Sequence, residues 1–442
     1  MLQLPGDILN HILYFTENKV IELCQVCKYF DKHCKEIRIT DNENYPDIRV
    51  RNLVMCPNIT RLNLEDNLLI INKGLKELKF LTTLILKKNV CITDISSLPQ
   101  LRNLDLQWNT VITDIRISGL TNLKSLNLRG NRLITNKGVV NLVGLEILIL
   151  SEDSPINDEG ISNLTNLQIL HIEGNNIKGK GLINLTNLTN LHLSVSSIED
   201  DNVSHLVNLK HLKLLDSRIT DNTVKNLTGL TSLDLYRDRI VTDEGISNLI
   251  NLQTLHVNAK ITDRGLVNLI NLTKLDFYDA GYWTQAPSPI TDDELKNLLK
   301  LKDLSLDYCC NGITDKGIIN LTSLQSLLLK GNDVTGGVFK ELPYLINLSV
   351  HGHSSVNDND ISGLTNLSSL ALGWGNRISN NGIAELTNLK KLILRDNRII
   401  TDGGIDQLTN LEYLEIINDS GVNKITANGI KYLIKLKVKP KF

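Results

Sequence analysis

Apolar residues recur along this chain in one phrase, LxxLxxLxL, as in Leu227, Leu230, Leu233 and Leu235. The closing pair sets two side chains on one face of a short strand and turns the residue between them to the other face. Counting the first leucine of each pair gives Leu62, Leu84, Leu104, Leu126, Leu148, Leu170, Leu191, Leu212, Leu233, Leu255, Leu275, Leu304, Leu327, Leu348, Leu370, Leu392, Leu414 and Leu436. Steps run from 20 to 23 residues with 22 the commonest, except for one of 29 between Leu275 and Leu304. Ile37-x-Ile39 predicts a degenerate strand ahead of the series. One coil cannot bury its own leucines, so each must stack on a neighbour that repeats it.

The second half of each unit reads "ITD" followed by "xGL", as at Ile219–Asp221 and Ile313–Asp315. Thr or Asp there is expected to cap a short helical turn. Five positions after the strand leucine stands Asn67, Asn89, Asn109, Asn131, Asn175, Asn332 or Asn397, which is expected to bond the adjacent turn as a ladder. From Ser196 to Cys309 that position is never Asn. The one long step places seven extra residues within 278–293, "YDAGYWTQAPSPITDD". The last unit ends "LIKLKVKPKF", where Lys437, Lys439 and Lys441 would blunt an open strand edge.

A period near 22 with LxxLxLxxN resembles the leucine-rich repeat. The resemblance covers residues 37–442 and implies an α/β solenoid, an arc of about 18 units with a parallel sheet on the concave side. "ITDxGL" is similar to the repeats of the F-box class, and "LTNLTNL" to internalin-like repeats.

Residues 1–36 do not repeat. Leu4, Ile8 and Ile12 share a helical spacing, as do Leu23, Val26, Cys27 and Phe30, and Pro5 fits a helix start. Two helices this short make no core alone and must pack on the solenoid or on a partner. The segment resembles an F-box through Leu4, Pro5, Asp7, Ile8, Ile12, Leu13, Val26, Cys27, Lys28 and Phe30. It departs from that pattern in Phe30, where the family has Trp, and in Val20-Ile21, where it has Asp-Leu. The resemblance implies a non-catalytic substrate receptor of a cullin–RING ubiquitin ligase. Leu4, Pro5, Ile8, Ile12, Leu13, Leu23 and Val26 would then dock a Skp-family adaptor while the repeats hold the target protein. The alternatives are N-terminal cap helices and, for the whole chain, an interaction scaffold or internalin-like binding protein without a ligase.

Composition narrows the field. Lys plus Arg number 47 against 49 for Asp plus Glu, so charge gives no reason to expect nucleic acid or an anionic membrane as partner. No run approaches the ~18 apolar residues of a spanning helix. Asp7 and Asn10 interrupt the place a signal peptide would keep apolar, so a cytoplasmic protein, or a nuclear one, is expected. Seven irregularly placed cysteines read as reduced thiols. Cys24-x-x-Cys27 with Cys34 has zinc-like spacing but equally suits a helix core, and no metal or other cofactor is expected. With no phosphate loop, HExxH or nucleophile–base pair, an enzyme is not expected.

The middle and following positions of the strand pairs supply the candidate partner-binding residues: Trp108, Asp234, Tyr236, Arg237, His256, Asp276, Tyr278, Asp307, Tyr308 and Trp374, with Tyr282 and Trp283 of the insert. Exposed Trp, Tyr and Arg are what protein-binding surfaces favour. The Asp234–Tyr308 strip and the insert are the expected centre of the site.

Overall fold

The computed structural model describes residues 36–38 and 58–437, apart from 69, 175, 195–196, 239, 258–259, 278–289, 307–311, 332, 353–354 and 418–423. The F-box-like segment, all seven adaptor-docking residues, the zinc-like cysteines, and Tyr278, Tyr282, Trp283, Asp307 and Tyr308 lie outside the described residues. The chain forms two compact units, Met1–Leu209 with Asp216–Arg218, and Lys210–Leu215 with Ile219–Phe442.

In the first unit eight strands follow in chain order: β1 (Glu36–Arg38), β2 (Arg61–Asn63), β3 (Thr83–Ile85), β4 (Asn103–Asp105), β5 (Ser125–Asn127), β6 (Ile147–Leu150), β7 (Ile169–Glu173) and β8 (Asn190–Ser194). Each pairs in parallel with the next, and the expected strand at Ile37 is there, with Ile37 opposite Leu62. The second unit repeats the arrangement in β9 (His211–Leu214), β10 (Ser232–Asp234), β11 (Thr254–Val257), β12 (Lys274–Phe277), β13 (Asp303–Leu306), β14 (Ser326–Lys330), β15 (Asn347–His351), β16 (Ser369–Leu372), β17 (Lys391–Arg395) and β18 (Tyr413–Ile417). Strand leucines stand opposite one another throughout, for example Leu212, Leu233, Leu255, Leu275 and Leu304. From Leu62 to Leu394 both apolar residues of each described pair are buried, each worth roughly 1.5–3 kcal/mol when covered, whereas Ile416 of the last pair is only partly buried. Leu436 departs from the series, being only partly buried and in no strand among the described residues.

Parallel strands need a crossover, which here is a coil carrying one helical turn, such as Asp243–Ile246 or Asp315–Ile318. The Thr before the turn accepts from the backbone two residues on in several coils, for instance Thr262 from Arg264 N–H. The expectation that Asp shares this cap is corrected. Asp is the first residue of the turn, and its carboxylate reaches the following coil. Asp221 accepts from Thr242 N–H at 2.8 Å and Thr242 Oγ1 at 2.6 Å, and Asp243 does the same for Thr262 at 2.8 and 2.5 Å. Asp114, Asp292, Asp358 and Asp402 repeat the contact.

This second ladder explains the glycine of "TDxGL". A Cβ on Gly245 would lie 2.4 Å from Asp221 Oδ1, and one on Gly265 at 2.4 Å from Asp243 Oδ1. Glycine leaves room for the preceding carboxylate there, although with Glu294 in its place Asp263 still accepts from Thr291 at 2.9 and 2.8 Å. A third ladder uses the Asn of "LTNL": Asn166, Asn251 and Asn388 each donate to a carbonyl of the coil before.

The expected Asn ladder is present at Asn89, Asn109 and Asn131, while Asn175 and Asn332 lie outside the described residues. Asn89 Nδ2 donates to Leu64 and Asn67 carbonyls at 3.0 and 2.8 Å, while its Oδ1 accepts from Ile92 N–H at 2.9 Å. In the irregular middle, buried Asp238 accepts from Ile240 and Val241 N–H at 3.0 and 2.9 Å. A carboxylate supplies the acceptor half of the rung but brings no N–H to donate.

The long step leaves the framework undisturbed. β12 and β13 pair directly, Leu275 opposite Leu304, and Thr291 still reaches Asp263 at 2.9 Å.

Candidate functional site

The residue between each pair of buried leucines, and those flanking it on alternate positions, form the exposed face of the sheet. Parallel register then decides which of these side chains meet. In the second unit Lys213, Asp234, His256 and Asp276 stand side by side on β9 to β12. Lys213 Nζ is 3.0 Å from Asp234 Oδ2, and His256 Nδ1 lies 3.5 Å from the same oxygen. On the other side His256 Nε2 is 3.1 Å from Asp276 Oδ2, close enough for an ion pair though not aligned as a hydrogen bond. Lys274 Nζ closes the row 3.2 Å from Asp276.

Burial opposes the charge on Asp234, but hydrogen bonds from His256, Lys213 and the Tyr236 N–H outweigh it. The carboxyl is held at about 2, below its ordinary 3.8. Tyr236 lies in the turn just after β10, with the Arg237 guanidinium 5.3 Å from its ring centre. Of the expected strip, the structure thus joins Asp234, His256 and Asp276 into one charged row and sets Tyr236 and Arg237 beside it. Lys213 and Lys274 escaped the sequence reading. Lys213 occupies the middle of Leu212-Lys213-Leu214, so pairing the middle positions of successive units would have found it.

Trp108 belongs to the first unit, apart from this row. Its indole is 45% exposed, and Lys87 and Lys88 place their ammonium groups 5.8 and 5.4 Å from the ring centre. The backbone is left-handed there, φ 50°, and a Cβ on Gly130 would overlap the indole. Farther along that sheet face Arg129 forms an ion pair with Glu173, and the His171 and His192 rings meet edge to face at 5.3 Å. In the second unit Trp374 is also 45% exposed, on the turn after β16. A site of this kind, with charged and aromatic side chains fixed on paired strands, binds by complementarity.

No family model matches the chain, and no curated protein matches it. Among solved structures it is similar to an internalin, inlF, of Listeria monocytogenes, with 27% identity, a TM-score of 0.46, and coverage of 70% of this chain and 85% of that one. A leucine-rich-repeat protein of Leptospira interrogans covers 92% of this chain and 95% of its own, with 23% identity and a TM-score of 0.43. Internalin C2 of Listeria monocytogenes shares 28% identity over 41% of this chain and 83% of that one, with a TM-score of 0.36. The repeat geometry itself defines the class: the chain has the leucine-rich-repeat solenoid fold, parallel strands on one side and short helical turns on the other.

Proposed function

We propose that this chain is a protein-binding module that captures a partner on its exposed sheet face and performs no chemistry of its own. The observation that carries the reading is the in-register row Lys213–Asp234–His256–Asp276 with Tyr236 and Arg237 at its edge. Tyr278, Asp307 and Tyr308, and Tyr282 and Trp283 of the insert, join the proposal by their sequence positions alone. The row opposes unlike charges across neighbouring strands, which fixes each side chain before a partner arrives and lowers the ordering cost of binding. A photo-crosslinker at Lys274 should capture a discrete partner, and Asp234→Lys with Asp276→Lys should abolish that capture while the fold survives. Unchanged capture by the double variant would reject the row as the site.

A finer reading rests on the F-box resemblance of residues 1–36. In it the chain is a substrate receptor of a cullin–RING ubiquitin ligase in the cytoplasm or nucleus, with Leu4, Pro5, Ile8, Ile12, Leu13, Leu23 and Val26 on a Skp-family adaptor. Co-purification with such an adaptor by the wild type, and its loss in Pro5→Ala with Ile8→Asp, is the expected result. Failure of the wild type to retain the adaptor leaves a stand-alone interaction scaffold, which the sheet-face row supports equally.

A further inference from the structure

We propose that a groove in the second unit, at a break in its asparagine ladder, binds a neutral sugar ring. The groove has a volume of about 440 Å³ and runs between Gly373, Trp374, Gly375 and Asn376 on one turn and Asp396, Arg398 and Ile399 on the next. That volume falls within the range of small-molecule sites, roughly 300–1,000 Å³.

The break has a cause in the sequence. Asn376 stands six residues after Leu370, one more than separates Asn397 from Leu392. The extra residue bends the Asn376 amide back onto its own turn, where Nδ2 donates to the Gly373 carbonyl. Asn397 then keeps only half its rung. Its Oδ1 accepts from Ile399 and Ile400 N–H at 3.0 and 2.8 Å. Its Nδ2 has no hydrogen-bond partner among the described residues, although the residue is 5% exposed. In the intact ladder the same group on Asn89 serves two carbonyls of the coil before. Asn397 sits between Asp396 and Arg398, two of the residues that wall the groove.

Three properties of this place select the ligand. Trp374, 45% exposed and flanked in sequence by Gly373 and Gly375, lines the groove together with Ile399, so much of the wall is apolar. A carboxylate and a guanidinium stand two residues apart, so a net charge on the ligand would gain from one and be repelled by the other. A hydroxyl serves both, donating to Asp396 while accepting from Arg398. A pyranose combines an apolar C–H face with a rim of hydroxyls and fits all three. A peptide strand fits less well, because β16 and β17 are already paired on both sides and leave it no strand edge.

The test uses the purified full chain and four probes added singly: methyl α-glucoside, methyl α-mannoside, methyl β-galactoside and N-acetylglucosamine. Saturation-transfer NMR on the ring protons and tryptophan fluorescence report binding. At least one sugar is expected to bind in the millimolar range, with Trp374→Ala weakening it by about tenfold or more. Asp396→Asn should weaken it too, and Asn tolerates the left-handed backbone at that position, so the fold is kept. Trp108→Ala should leave it unchanged. Binding of none of the four, or binding that survives both Trp374→Ala and Asp396→Asn, overturns the proposal. Selection of a peptide that needs Trp374 when no sugar binds would overturn it in favour of a protein partner. Neither result bears on the charged row, whose test reads a different surface.

Discussion

Left-handed backbone recurs at one place in the repeat, the residue just before the ladder position. Lys88, Trp108, Arg237 and Asp396 hold it with φ of 53, 50, 59 and 47°, and Gly130 with 67°. For a residue other than glycine or asparagine the conformation costs about 1–3 kcal/mol. Arg237 is exposed, with its guanidinium over the Tyr236 ring, so Arg237→Gly should hold the urea midpoint or raise stability by up to about 1 kcal/mol while weakening partner capture. A marked loss of stability would show instead that the guanidinium is structural. Glycines on the other side of the coil make the opposite prediction. Gly245→Ala drives a Cβ into Asp221 and should cost about 1–3 kcal/mol by denaturant titration, whereas Gly119→Ala, with nothing within 4 Å, should be nearly neutral. Asp234 predicts a pH dependence. Its folded carboxyl titrates at about 2 against 3.8 unfolded, so its contribution is present above 3.8 and lost as pH falls through 2. Asp234→Asn should remove about 2 kcal/mol from the acid limb of the pH–stability curve and leave its alkaline limb alone.

The coil is the element of this fold, and its ends are tied by side chains more than by helix length. Four-residue helical turns have no intrinsic stability. They persist because they are roofed by the strand leucines and many are bolted to the next coil by one Asp carboxylate or, at Asn72, Asn136 and Asn380, by an amide oxygen. Asp221→Ala leaves the Thr242 N–H and hydroxyl without that acceptor, and should cost about 1–3 kcal/mol. Hydrogen exchange should speed up in the coils on either side of the cut rather than across the whole unit. The strands were legible in the sequence because alternation with period two is a local signal, readable from Leu62 to Leu414 one phrase at a time. The Asp–Thr ladder was not, since it joins residues about a coil apart and "TD" before a turn reads locally as a cap. Asp238 shows the same limit: its sequence marks a missing Asn, and only the structure shows the carboxylate holding half the rung.

At the scale of the molecule, the described hydrogen bonds between coils run to the adjacent coil, apart from Arg129 to Glu173, which skips one, so stability accumulates chiefly as nearest-neighbour terms. Unfolding should then depart from a single all-or-none step, with calorimetric and van't Hoff enthalpies unequal. The function proposed here belongs to this scale as well, because no single coil carries it. Lys213, Asp234, His256 and Asp276 come from four consecutive coils, and only the register of β9 to β12 turns them into one surface. That is why the sequence named three of the four without showing that they touch. The surroundings of Trp374 were hidden for a related reason: the groove depends on one surplus residue in that turn, between Leu370 and Asn376, which no local pattern flags as a cavity.

The Asp–Thr contact also bears on how such a chain can change through time. Coils such as those at Asp221, Asp243, Asp263 and Asp292 present a threonine behind and a carboxylate ahead, so such coils can follow one another. A recombination error that duplicates or deletes one of them leaves the neighbouring carboxylate with a hydroxyl to meet. The likeness of "VTDEGISNLINLQTLHV" and "ITDRGLVNLINLTKLDF", identical at nine of seventeen positions, is what a duplication of that kind leaves behind. The gene can therefore lengthen or shorten its product by single coils, sampling new rows of side chains on the sheet without rebuilding the scaffold that displays them.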